Sequence, residues 1–176
     1  MTSNQERSIL QAPVRAAVLT ISTSVFHGEA KDRSGPRLAE LASEIGAQVA
    51  AREVVPDDRS VIEVRLRHWA DAKRCELVLT TGGTGFAPTD VTPEATRAVI
   101  EREAPGIPEA MRAASREHTR NWLLSRSVAG IRGRTLIVNL PGNPASIAQT
   151  WKAIADALPH ALDLLAGRQS PHDSPV

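Results

Sequence analysis

Three observations predict an α/β fold, a three-layer doubly wound sheet that is mostly parallel with an antiparallel edge. Short apolar runs alternate with segments whose apolar residues recur at helical spacing, the pattern of a parallel sheet covered on both faces. The last two apolar runs are joined only by Arg132-Gly133-Arg134. That is too short for a crossover, so this pair must be antiparallel. Finally, 176 residues with no internal repeat or linker suit one domain.

The elements follow in order. Residues 15–22 (RAAVLTIS) form an apolar run without clean alternation, as a buried strand requires. A polar, turn-rich stretch covers residues 23–35. Pro36 can open a helix because its missing N–H costs nothing there; Leu38, Leu41, Ala42 and Ile45 give its stripe and Gly46 its stop. Residues 48–55 read as a second strand, broken by Pro56-Asp57-Asp58. Asp58 is placed to cap a helix carrying Ile62, Leu66 and Trp69. Residues 77–80 form a third strand that runs into Thr81-Gly82-Gly83-Thr84-Gly85. Thr92-Pro93 opens a helix with Ala95, Val99 and Ile100, ended by Pro105-Gly106, and residues 108–118 suggest another. Residues 128–131 and 135–138 are the antiparallel strands. Asn143 caps the last helix with Pro144 at its first position; its stripe is Ile147, Trp151, Ile154 and Leu158, and Pro159 kinks or restarts it. Residues 1–13 read as a flexible segment, 14–167 as the folded domain and 168–176 as a disordered tail.

Composition narrows function. The single cysteine, Cys75, excludes an intramolecular disulfide framework or a Cys-rich zinc module and reads as structural. A net charge of +1 provides no field for nucleic acid or anionic lipid, and 3% aromatics provide no base-stacking platform. No leader-like or membrane-length apolar run occurs, so the expected location is the cytoplasm. The five histidines lack ligand spacing, although His27 follows the first strand and could touch a substrate.

In open α/β sheets ligands sit beyond the carboxyl ends of the strands. Three loops there carry chemistry. The glycine loop, residues 81–85, can turn backbone N–H groups toward an anion, with Thr81 and Thr84 adding hydroxyls; its alternative is a plain tight turn. It is neither a P-loop, lacking the lysine, nor a dinucleotide fingerprint, since it follows the third strand. Asp57 and Asp90 each follow a strand end. Carboxylates beside phosphate-binding amides repel a polyphosphate unless a cation intervenes, and Mg2+ binds through one or two carboxylates plus phosphate oxygens. The alternative is that these aspartates only cap helices. The third loop, Leu140-Pro141-Gly142-Asn143-Pro144, with Ser146 in the following turn, is either a capped turn or an anion seat.

Taken together, Thr80-Thr81-Gly82-Gly83-Thr84-Gly85, Asp90-Val91-Thr92-Pro93-Glu94-Ala95 and Leu140-Pro141-Gly142-Asn143-Pro144 resemble the MogA/MoaB family of molybdenum-cofactor biosynthesis. Asp32-Arg33-Ser34-Gly35-Pro36, Val55-Pro56-Asp57-Asp58 and Ser125-Arg126-Ser127-Val128-Ala129-Gly130 extend the likeness from about Val14 to Leu165. The resemblance implies a molybdopterin-binding domain, commonly a homotrimer, that uses Mg-ATP to adenylylate molybdopterin and releases pyrophosphate. A molybdenum-insertion protein, separate or fused, is a possible partner that the sequence itself does not reveal. By motif, Asp57 and Asp90 become the catalytic, Mg2+-holding aspartates. Thr81, Gly82, Gly83, Thr84, Gly85, Pro141, Gly142, Asn143 and Ser146 become the substrate- and nucleotide-binding residues. Thr89 stands where many members have arginine, so either ATP affinity is lower or Arg33, Arg37 or Arg126 replaces that cation. The alternative function is a protein of the same fold that binds or carries molybdopterin without adenylating it.

Overall fold

The computed structural model describes residue 10 and residues 12–168; all but residue 168 of the tail expected at 168–176, and nearly all of the segment expected to be flexible before residue 14, lie outside the described residues. Six strands form one sheet: β1 Val14–Ile21, β2 Ala47–Val55, β3 Leu77–Thr81, β4 Arg102–Glu103, β5 Ala129–Arg132 and β6 Thr135–Leu140. Their order is β2-β1-β3-β6-β5-β4. β1, β2, β3 and β6 are parallel, and β5 runs antiparallel to both β6 and β4. The β5–β6 turn is closed by Gly133, with φ +55°.

Side chains alternate between two cores. Val14, Ala16 and Val18 of β1, Leu77 and Leu79 of β3, and Leu136, Val138 and Leu140 of β6 face one layer. That layer holds α2 Ser34–Glu44, α5 Gly106–Ser115, α6 Pro144–Ile154 and α7 Leu158–Leu165. Ala17, Leu19, Ile21, Val78 and Ile137 face the other, made by α3 Arg59–Arg67, the π turn His68–Ala72 and α4 Thr92–Arg97. A register shift between β1 and β2 passes over Ala50, so Val49 faces the first layer and Ala51 the second. One extra residue thus explains why the pattern of β2 does not alternate cleanly.

Several boundaries differ from expectation. The stretch 23–35 contains α1 Thr23–Phe26, whose first turn is capped by the Ser22 hydroxyl. α2 starts at Ser34 rather than Pro36, because the Asp32 carboxylate accepts the Gly35 N–H at 2.9 Å and is itself held by Thr20 Oγ1 at 3.0 Å. Pro105 opens α5 instead of closing α4, which ends at Arg97. β4 and the 3-10 turn Arg120–Leu124 carry too little apolar periodicity to be visible in the sequence. Thr81 is the last residue of β3, not the first of the loop. The caps at Asp58 and Asn143, and the restart near Pro159, are as expected. Among the described residues no helix is long and apolar enough to cross a membrane.

Candidate functional site

The register places four strand ends on one rim. Ile21 pairs with Val55, Thr20 with Thr81, and Thr81 with Leu140. The chain leaves β1 for β2 on one side and reaches β3 on the other, so the crevice falls where strand order reverses. All three loops singled out in the sequence start from this rim.

The glycine loop is tied down from every direction. Thr81 Oγ1 donates to the Pro141 carbonyl at 2.8 Å, and Gly82 N–H to Leu140 at 3.3 Å. Thr92 donates from its hydroxyl to Gly82 O at 2.9 Å and from its N–H to Gly83 O at 3.1 Å. Arg126 N–H bonds Thr84 O at 2.9 Å. Gly82 has φ +100° and Gly83 φ +64°. A methyl group on Gly82 would collide with the Ile21 carbonyl, and one on Gly83 with the Thr92 hydroxyl. The loop is a fixed backbone arc that only glycine can trace. Across the rim, a methyl on Gly142 would lie 3.3 Å from Gly82 Cα, so the two loops approach glycine to glycine.

The two aspartates are not helix caps. Asp58 is the cap of α3, accepting Val61 N–H at 3.0 Å and the Ser60 hydroxyl at 2.5 Å. The Ser60 hydroxyl, then the Val61 N–H, hold its carboxyl below the ordinary range. Asp57 instead reaches across to α1: its Oδ2 accepts from Thr23 N–H at 2.7 Å and Thr23 Oγ1 at 2.8 Å, and its own N–H returns a bond to that hydroxyl at 2.9 Å. Its Oδ1 lies toward Gly83. Asp90 Oδ2 accepts from Ala87 N–H at 2.9 Å and lies over Gly85, while the cap position of α4 is Val91, with no side-chain cap. Oδ1 of each aspartate takes no hydrogen bond among the described residues. This donor set suits a hard divalent cation such as Mg2+, which takes one or two carboxylates and completes its shell from phosphate and water.

Sequence reasoning named Arg126 and Glu94 without their task, and passed over Asn139. Arg126 is a three-way strut: Nε donates to Gly85 O at 2.7 Å, Nη2 to Asp90 O at 2.5 Å and Nη1 to the Glu94 carboxylate. Burial pushes the Glu94 carboxyl up, but its own N–H and Arg126 outweigh this and hold it below the usual range. The expectation that Arg126 supplies a free cation is therefore corrected. Arg37 is likewise engaged, with Glu40 at 3.1 Å. Asn139 is fully buried; its Nδ2 donates to Thr80 Oγ1 at 3.0 Å and Thr96 Oγ1 at 2.9 Å, and its Oδ1 accepts Val128 N–H at 3.2 Å. A polar residue inside an apolar strand was the available signal. Cys75 is buried in the wall below the sheet, where burial raises its thiol, as a structural residue should be.

Two cavities of about 440 Å³ flank the arc. One lies against α6 and is lined by Arg112, His118, Asn121, Trp122, Asn143 and Ser146 among others. In its wall, Asn143 Oδ1 accepts Ala145 N–H at 2.8 Å and so opens α6. The other lies beside Asp90. A wider, open depression of about 840 Å³ between α2 and β2 touches none of these loops, so size does not mark the site. His27 packs edge-on against Phe26 in α1, after β1.

Residues 17–160 match the family described as "Probable molybdopterin binding domain". The chain is 40% identical over 156 residues to a molybdopterin adenylyltransferase of Helicobacter pylori, covering 88% of this chain and 89% of that protein. It is 39% identical over 168 residues to the Escherichia coli protein of the same name, covering 88% and 86%. The molybdenum cofactor synthesis protein cinnamon of Drosophila melanogaster is 43% identical over 149 residues, which is 84% of this chain and 25% of that longer one. The crystal structure of the molybdopterin biosynthesis enzyme MoaB of Thermus thermophilus superposes with a TM-score of 0.83 at 46% identity, over 88% of this chain and 98% of the other. A family match over residues 17–160, this extent of identity and a superposition over nearly the whole chain have one conclusion: the chain belongs to the molybdopterin-binding domain family of molybdenum-cofactor biosynthesis.

Proposed function

We propose that the chain is a molybdopterin adenylyltransferase, converting molybdopterin and ATP into adenylyl-molybdopterin and pyrophosphate. The observation that carries this reading is that Asp57 and Asp90, beside the glycine arc, are both spared helix capping and each keep one carboxylate oxygen uncommitted. A protein that only held molybdopterin would have no use for two negative groups next to a phosphate seat. The relatives named molybdopterin adenylyltransferase, matched over nearly their whole length, support it further.

In this reading a molybdopterin phosphate oxygen attacks the α-phosphorus of ATP. The α-phosphorus–oxygen bond to the β-phosphate breaks and pyrophosphate leaves. A phosphate monoester is already ionised near neutral pH, so no strong base is required. Gly82, Gly83, Thr84 and Gly85, with Pro141, Gly142, Asn143 and Ser146, seat the phosphates and the pterin, while Thr81, buried with its hydroxyl on the Pro141 carbonyl, holds the two loops together. Catalysis then rests on positioning and on charges fixed in advance. Magnesium held by Asp57 and Asp90 would neutralise the charge that builds up on the phosphates. The cavity against α6 offers the polar lining a pterin ring needs. The exposed Leu123 and Leu124 of the 3-10 turn suit a homotrimer contact. A cytoplasmic site of action and hand-over to a molybdenum-insertion protein complete the proposal. The decisive experiment incubates the protein with molybdopterin and MgATP and looks for adenylyl-molybdopterin with equimolar pyrophosphate. Binding without either product would leave only the carrier function.

A further inference from the structure

We propose that Arg59 is the guanidinium that grips the polyphosphate of the nucleotide; this rests on the adenylyltransferase reading and names a group that reading lacks. The cavity beside Asp90, about 440 Å³, is lined by Arg59, Phe86, Pro88, Asp90, Glu94 and Arg126 among others. A triphosphate brought against the Asp90 and Glu94 carboxylates needs positive charge, and the loop Phe86-Ala87-Pro88-Thr89 has none. Two guanidiniums reach the cavity. Arg126 is consumed: all three of its nitrogens are bonded, two to carbonyls and one to Glu94, whose charge it balances. Arg59 is not. Its Nε donates to Glu63 Oε1 at 2.8 Å, and neither Nη takes a hydrogen bond among the described residues. Its side chain is 56% exposed.

The Glu63 contact does not cancel the charge. The same carboxylate lies 3.8 Å from Arg67 Nη1, so one negative group serves two positive ones. Holding Arg59 by Nε fixes the plane of the guanidinium and leaves its two outer nitrogens as a fork, the geometry that receives two phosphate oxygens at once. Arg59 also begins α3 immediately after Asp57-Asp58 while sharing a cavity with Asp90. It is therefore two residues from one of the aspartates assigned to the metal and shares a cavity with the other. The competing description is an ordinary i,i+4 surface pair with Glu63 that contributes nothing to the ligand.

The test compares the wild type with Arg59→Gln, Arg59→Lys and Arg97→Gln, the last removing an exposed arginine that pairs with Glu103 at 3.3 Å outside the cavity. Steady-state adenylation gives KM for ATP and for molybdopterin. Calorimetric titration with inorganic pyrophosphate gives binding independently of turnover. Arg59→Gln is expected to raise both the KM for ATP and the pyrophosphate Kd by about 10–100-fold, the range of one charge-assisted contact. The KM for molybdopterin stays unchanged. Arg59→Lys recovers part of the loss, because it restores the charge without the fork, and Arg97→Gln matches the wild type. Unchanged ATP and pyrophosphate constants in Arg59→Gln overturn the assignment, as does a wild type that binds no pyrophosphate. A wild type that binds pyrophosphate through Arg59 yet forms no adenylyl-molybdopterin upholds the assignment and overturns the adenylyltransferase reading instead.

Discussion

Asp57 and Asp58 are sequence neighbours with opposite employments, and substitution separates them. Asp57→Asn and Asp90→Asn remove charge with little change in volume, and neither residue caps a helix. Asp90→Asn should melt with the wild type and Asp57→Asn somewhat below it, because Asp57 also tethers Thr23 of α1, while adenylation falls by about 10²-fold or more in both, the loss expected for one well-placed electrostatic contact. The double variant should be little worse than either single one, because both groups serve one metal-nucleotide unit. Asp58→Ala should do the reverse, lowering the melting temperature and leaving turnover intact. Turnover near wild type in both Asn variants would remove the aspartates from the mechanism. Gly82→Ala tests the arc itself. Its φ of +100° and the Ile21 carbonyl leave no room for a methyl group, so denaturant unfolding should show a loss of about 1–3 kcal/mol or more.

At the scale of elements, Asn139 joins pieces that the backbone leaves separate. From β6 it bonds Thr80 in β3, Thr96 in α4 and the entry to β5 at Val128. Asn139→Ala should cost on the order of 3 kcal/mol, since two buried hydroxyls and an N–H lose their partner together. It should also weaken nucleotide binding, because α4 carries Thr92, which holds the glycine arc. Urea unfolding with a parallel binding titration would measure both. The same elements explain how far the sequence could be read. The strands and long helices were visible because burial writes itself as apolar spacing, and the site loops because glycine, proline and aspartate punctuate strand ends. α1 was invisible because its four residues depend on the tether from Thr23 to Asp57, 34 positions away. β4 was invisible because both its residues are exposed, and it is defined by pairing with β5 rather than by its own side chains. Arg126 could be named but its task could not, since all three of its partners lie 32–41 positions earlier in the chain.

For the molecule as a whole, the carboxylates held low set the response to acid: the exposed Asp58 cap, Asp71 and Glu94. The hydrogen bonds from Arg132 hold Asp71 below its ordinary pKa, joining the π turn to the end of β5. Glu94 is held low as described above. A carboxyl that titrates lower in the folded state stabilises fully above its unfolded value, about 4, and loses that contribution as pH falls through the folded one. Stability should therefore be flat from neutrality to about pH 5 and decline below pH 4. Asp71→Asn should decline less steeply there, which thermal melts across pH 2–7 would detect. The proposed trimer belongs to this scale as well. Sedimentation at micromolar concentration should show a species near three times 18.9 kDa, and Leu123→Asp, at a residue 65% exposed in the single chain, should shift it toward one. A wild type sedimenting only as the single chain would rule the trimer out.

The glycine-to-glycine approach of Gly82 and Gly142, with Thr81 bonded to Pro141, has a kinetic consequence. Two loops locked at their bases cannot swing independently, so neither is a gate. Substrate entry and product departure should then track solvent viscosity, as for a docking surface open at all times, and either substrate should be free to arrive first.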